Sequence, residues 1–198
     1  MLTVSINDYI KKKILNIQNI ITDHIETAQK LAAMEADILQ ICQLCKEAIL
    51  RGHKILLAGN GGSAADAQHI AAEFVGRFVK ERRSLPAIAL TVDTSALTAI
   101  SNDYGFENVY ARQIEGLGTE GDVFIGLSTS GNSPNIIKAV EAAHRKGLKT
   151  IILSGKNGGI LRGMSDAEII VPSDITARIQ EMHILIGHIL CEYIDAHN

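Results

Sequence analysis

From Lys54 onward the chain alternates short apolar runs with segments of helical period, and few folds accommodate that alternation. The runs are Ile55–Ala58, Ala87–Leu90, Val123–Leu127, Thr150–Leu153 and Glu168–Val171, each the length of a strand buried on both faces. Between them the periodicity predicts helices over 63–78, 95–115 (broken near Tyr104–Gly105) and 134–146, a short piece near 158–162, and a last helix over 174–196. Strand–helix repetition of this kind calls for an α/β fold, a parallel sheet between two helical layers in a three-layer sandwich. In such sheets ligands bind beyond the carboxyl ends of the strands, so the polar loops that follow strands carry the functional information.

Two helical patterns precede the alternation. Ile6, Ile10, Ile14, Ile17 and Ile21 mark one over 5–22; Ala28, Leu31, Met34, Ile38, Ile41, Cys45 and Ile49 mark another over 28–51, with Ile25 upstream. They are not crossovers, so they are expected to pack outside the sheet, with apolar stripes that extend into a partner subunit; the plainer alternative is that they only cover one face of the sheet. Cys42 and Cys45 form a CxxC on that second stripe; without a second CxxC or a preceding strand they read as core. At 198 residues the chain fits one domain, 1–198, with 1–52 as oligomer-packing helices and 53–198 as the α/β core.

Composition removes several functions. A formal charge of −3 gives no basic field for nucleic acid or an anionic membrane. Aromatic residues make up 4% with no tryptophan, too few for a base-stacking surface. No apolar run approaches the roughly 20 residues that span a bilayer. The start, MLTVSINDYIKKK, turns polar too early for a secretory segment, and three cysteines fit a reducing compartment, so a cytoplasmic location is expected.

The loop after the third run, LSTSGNSPNI, combines Ser128, Thr129, Ser130 and Ser133 with a helix start, Ser133 as N-cap and Pro134 at the first helical position. Hydroxyls beside free helix N–H groups make an anion cradle, here with neutral donors because the loop has no lysine. After the first run, AGNGGSAADAQH places Gly59, Gly61 and Gly62 where a ligand can approach the backbone, and Ser63 with Asp66 reads as a capping-box helix start. Gly59-x-Gly61-x-x-Ala64 also matches a loose dinucleotide fingerprint. That reading needs an acidic residue about 20 positions on, whereas Asp93 comes more than thirty later and Glu81 sits in the charged run KERRS, read as a solvated loop.

On the helix that follows, His69 and Glu73 share a face at i and i+4; a solvated pair is the plainer reading, a shared ligand or metal the sharper one. Asn102 and Asp103 close the second loop, where turn chemistry explains them as well as sugar hydroxyls do. Gln180, His183 and His188 interrupt an apolar last helix. A histidine there is more often a core residue than a ligand, and Gln180 and His188, roughly 12 Å apart along the axis, can share one ion only across subunits.

Taken together, GNGGS, the H-x-x-x-E pair, SNDYGF, LSTSGNS and RIQE…H resemble the sugar isomerase (SIS) domain family over nearly the whole chain, and within it the members that isomerise sedoheptulose 7-phosphate. The serine loop marks the family at large; the His69–Glu73 and Gln180–His188 pairs mark that member. The resemblance implies a five-stranded parallel sheet of flavodoxin-like order, with the N-terminal helical pair and a long C-terminal helix, a homotetramer, and active sites at subunit interfaces. By position it assigns Ser63, Ser128, Thr129, Ser130 and Ser133 to the phosphate, and Asn60, Gly61, Gly62, Asn102, Asp103 and Gln180 to the sugar, which Glu73 also meets. It gives Glu73 and His188 the proton transfers, and His69, Glu73, Gln180 and His188 one zinc ion per subunit. The implied reaction converts sedoheptulose 7-phosphate to D-glycero-D-manno-heptose 7-phosphate through an enediol(ate). Where the family pattern has an aspartate, three residues before Gln180, this chain has Ala177, with Asp174 nearby. A non-catalytic SIS protein that binds a phosphosugar or a protein partner, and an isomerase of another sugar phosphate, stand as alternatives.

Overall fold

The computed structural model describes residues 16–197. Five strands, β1 (Ile55–Gly59), β2 (Ala87–Ala89), β3 (Val123–Ser128), β4 (Lys149–Gly155) and β5 (Ala167–Val171), form one all-parallel sheet in the order β2-β1-β3-β4-β5. That is the flavodoxin-like order, and each strand falls on its predicted apolar run. The central strands β1 and β3 are buried at every position, as strands covered on both faces must be.

Among the described residues seven α-helices surround the sheet: α1 (Ile17–Ala32), α2 (Glu35–Leu50), α3 (Gly62–Val75), α4 (Thr94–Tyr104), α5 (Val109–Leu117), α6 (Pro134–Arg145) and α7 (Thr176–His197). Side chains alternate along β1. Ile55 and Leu57 join a core built with α2, α3 and α7; Leu56 and Ala58 join a second core under α5 and α6. The break predicted near Tyr104–Gly105 is present, because Gly105 at φ 86 ends α4 before a 3-10 turn at Phe106–Asn108 leads into α5.

The N-terminal pair departs from expectation in two ways. The first predicted helix, 5–22, lies mostly outside the described residues, with Ile6, Ile10 and Ile14. The gap expected at 23–27 is helical: α1 runs through it, and the break falls at Ala33–Met34. Neither glycine nor proline marks that junction, and Met34 offers no side-chain cap, so nothing local signals it. α2 is also not outside the sheet. Its Ile38, Ile41, Cys42, Cys45 and Ile49 form part of the sheet-facing core. Cys42 and Cys45 are buried free thiols within it, and burial pushes Cys42 up to about 11. Of the two, α1 alone lies outside, against α7, where the Arg178 guanidinium donates to the Ile20 carbonyl at 2.9 Å.

The run KERRS is not a solvated loop throughout. Arg82 is partly buried against Asp195 of α7, Nε to Oδ1 at 2.6 Å, with side-chain exposures of 9% and 2%. The partner lies 113 residues away and leaves no local trace.

Candidate active site

The strand order reverses direction between β1 and β3, so the crevice beyond their carboxyl ends is where this fold binds ligands. The glycine loop leaves β1 and the serine loop leaves β3 at that point. Asn60 and Asn135 bridge the two with reciprocal amide hydrogen bonds, Nδ2 to Oδ1 at 2.9 Å one way and 2.8 Å the other. Asn135 is buried, and beyond a helix start no local pattern hints at its role. Tyr110, from α5, donates its phenol hydrogen to the Gly59 carbonyl at 2.5 Å and steadies the same loop from below. A cleft of about 250 Å³ opens here, lined by Asn60, Phe106, Glu107, Ser133, Pro134 and Asn135. A larger hollow, about 370 Å³, lies among Arg112, Lys138 and Arg145 between α5 and α6 and contains none of the predicted site residues.

In the serine loop, Ser133 is the N-cap of α6 and Pro134 opens the helix, as the sequence predicts. The Ser133 hydroxyl makes no cap bond; it pairs with Ser128 Oγ at 2.9 Å. Ser130 Oγ accepts the Asn132 N–H, and Thr129 is half-buried beside it. Gly131, at φ 66, lets the loop lie flat on the β4 loop. A Cβ there would sit 1.8 Å from the Gly158 carbonyl oxygen, so no other residue fits.

The glycine loop differs from its predicted start. α3 begins at Gly62 with Gly61 as N-cap, and no side chain caps it. Gly61 takes φ 56, which admits the chain to the helix two residues early and places Ser63 inside, buried, at the second helical position. Asp66 is then too deep in the helix to form a capping box. Its Oδ2 is buried without a hydrogen-bond partner, and burial raises its pKa against the pull of His69. The dinucleotide reading loses its acidic residues as well: Asp93 is the N-cap of α4, accepting the Ala96 N–H at 2.9 Å, and Glu81 is exposed beside Arg77.

α3 and α7 run side by side in the same direction. Gly62 abuts the Gln180 amide, Ile70 abuts Gly187, and His69 meets His188. At the second level the side chains converge within one chain. His69 Nε2 lies 3.1 Å from Glu73 Oε1 and 3.5 Å from His188 Nε2. The two imidazoles are edge to face, centroids 5.0 Å apart at 73°, and Phe78 stacks on His188 from the other side. Gln180 stays at the Gly62 level, eight residues or roughly 12 Å away along the axis. Among the described residues no three His, Cys, Asp or Glu side chains close around a single point; His69 is instead the middle of an open chain of three donors.

Other predicted residues lie apart. Asn102 and Asp103 belong to the last turn of α4, exposed, with Asn102 Nδ2 donating to Asp103 Oδ1 at 2.8 Å, so they are helical rather than in a turn. Ala177 is exposed in the first turn of α7, and Asp174 lines a groove with Asp23 and Glu26 of α1. His183 is the core histidine that the apolar pattern favoured, fully buried, with Nε2 3.0 Å from the Ser154 carbonyl.

Comparison with known proteins agrees with this architecture. The SIS domain family matches residues 14–155, which makes the chain an SIS-domain protein. A phosphoheptose isomerase of a Nitratiruptor species is 60% identical over 181 residues, 91% of this chain and 97% of that protein. The structure of a phosphoheptose isomerase from Francisella tularensis superposes with a TM-score of 0.88 at 41% identity, over 91% of this chain and 96% of that one. Another, from Neisseria gonorrhoeae, gives 0.86 at 45% identity over 91% and 97%. The chain belongs to the phosphoheptose isomerase family, a family of aldose–ketose isomerases.

Proposed function

We propose that the protein isomerises sedoheptulose 7-phosphate to D-glycero-D-manno-heptose 7-phosphate through an enediolate. The observation that carries this is the convergence of His69, Glu73 and His188, which a protein that only bound a phosphosugar would not need. The serine loop supplies hydroxyl and helix N–H donors for the phosphate, Ser128, Thr129, Ser130 and Ser133, with Ser63 below them. The glycine loop and Asn60 face the sugar, and Asn102, Asp103 and Gln180 are assigned to it by family resemblance.

Glu73 is the base. Its carboxylate removes a proton from C1, the C1–C2 double bond forms, and the C2 carbonyl oxygen takes the electron pair. His188 moves a proton between O1 and O2, and the protonated Glu73, open to exchange with solvent, returns a proton to C2 to give the aldose. Each such proton-transfer group is typically worth ~10²–10⁴ in rate. Incubation in deuterated water tests the route: the aldoheptose product should carry deuterium at C2, and Glu73→Gln should abolish most turnover while phosphate still binds. Near-normal turnover by the variant would refute it.

His69, Glu73 and His188 offer the imidazole nitrogens and carboxylate oxygen that zinc takes, set as an open chain around His69 rather than a closed cage. His69, Glu73 and His188 would hold it; Gln180 would join only from a second subunit, which fits a homo-oligomer with shared sites. When bound, the ion would polarise the carbonyl and stabilise the enediolate oxygen. Treatment with a strong chelator should remove activity and added zinc should restore it; indifference to the chelator would make the metal incidental.

A further inference from the structure

Phe78 lies over the His188 ring with centroids 5.4 Å apart and planes 24° from parallel, the offset stack that aromatic pairs favour. It belongs to the segment that leaves α3, and that segment is tied down on both sides. Val79 and Lys80 donate their backbone N–H groups to Asp195 Oδ2 at 2.9 and 3.0 Å. Arg82 binds the other Asp195 oxygen through Nε, and its Nη groups donate to the Glu73 and Phe74 carbonyls at 2.8 and 2.9 Å. One short stretch thus grips the last turn of α3, the end of α7 two turns past His188, and the face of His188 itself.

The imidazole is thereby fixed by its edge at His69 and by its face at Phe78. Without that second contact nothing described holds the ring plane, because the outer torsion of a histidine is broad. We propose that Phe78, carried by the Arg82–Asp195 clamp, is a positioning residue for His188: it sets the imidazole plane so that Nε2 stays at the His69–Glu73 pair. This rests on the reading of His188 as a proton-transfer group. Phe78 has no proton to give and makes no hydrogen bond, so its influence on turnover passes through orientation, to which proton transfer is sensitive: a 1 Å misplacement can cost ~10²-fold.

The test is a double-mutant cycle. Phe78→Leu is made in the wild-type and His188→Gln backgrounds, and kcat, KM for sedoheptulose 7-phosphate and the melting temperature are measured. The expected result is a loss in kcat of roughly tenfold with KM changed by less than about twofold in the wild-type background. In the His188→Gln background no further loss is expected, and Phe78→Tyr should restore most of the rate because it keeps the flat ring. Equal losses in both backgrounds, or no loss in either, would overturn the proposal. Phe78→Met, closer in volume, replaces the leucine variant should that one not fold. Near-normal turnover by His188→Gln alone would refute the reading of His188 and the proposal with it, a result distinct from failure of the positioning role.

Discussion

His183 and His188 lie five residues apart on α7 and meet different surroundings. His183 is fully buried with Nε2 donating to the Ser154 carbonyl, and burial pushes its pKa down to about 4 despite that bond. Between pH 6.5 and about 4 the unfolded chain therefore binds a proton that the native state refuses. The stability due to neutral His183 is fully present above pH 6.5 and is lost as pH falls toward 4, a range that corresponds to about 3 kcal/mol. The melting temperature, followed by circular dichroism, should drop between pH 7 and pH 5. His183→Gln keeps an N–H donor and loses the titration, so its melting temperature should vary less over the same interval. An equal slope in both proteins would count against the assignment.

At the level of elements, the parallel pair α3 and α7 decides whether His69, Glu73 and His188 meet. They touch at Gly187, where a Cβ would lie 2.5 Å from Ile70 Cδ1. The same Cβ would lie 2.6 Å from Ile70 Cγ1, and Ile70 is buried and β-branched, so even Gly187→Ala should cost some stability as Ile70 is displaced. Gly187→Leu should force the helices apart, at a cost of ~1–3 kcal/mol, and carry His188 away from His69. Denaturant midpoints together with turnover check this, with a modest loss expected from alanine and a larger one from leucine. Periodicity made both helices legible, and the i, i+4 spacing put His69 and Glu73 on one face. What no spacing carries is the pairing of α3 with α7. Phe78, Arg82 and Asn135 escaped for the same reason, since their partners lie 110, 113 and 75 residues away.

On the scale of the whole molecule, the sheet was readable because buried parallel strands are nearly continuous apolar runs, whereas their flavodoxin-like order came only from family resemblance. α2 was misplaced because an amphipathic stripe reveals that a face is covered without revealing by what. α1 keeps that ambiguity: Ile17, Ile21 and Ile25 follow one another at four-residue intervals and are 64%, 46% and 49% exposed. A stripe of this kind on one chain fits the homo-oligomer that the family resemblance implies. Ile21→Glu should lower the mass seen in sedimentation velocity; an unchanged mass would place the subunit contacts elsewhere.

The Asn60–Asn135 bridge carries no charge and no titratable proton. Its hold on the two loops is therefore insensitive to ionic strength and to acidity. The mouth of the crevice should keep one shape in dilute buffer, in brine and across the neutral range.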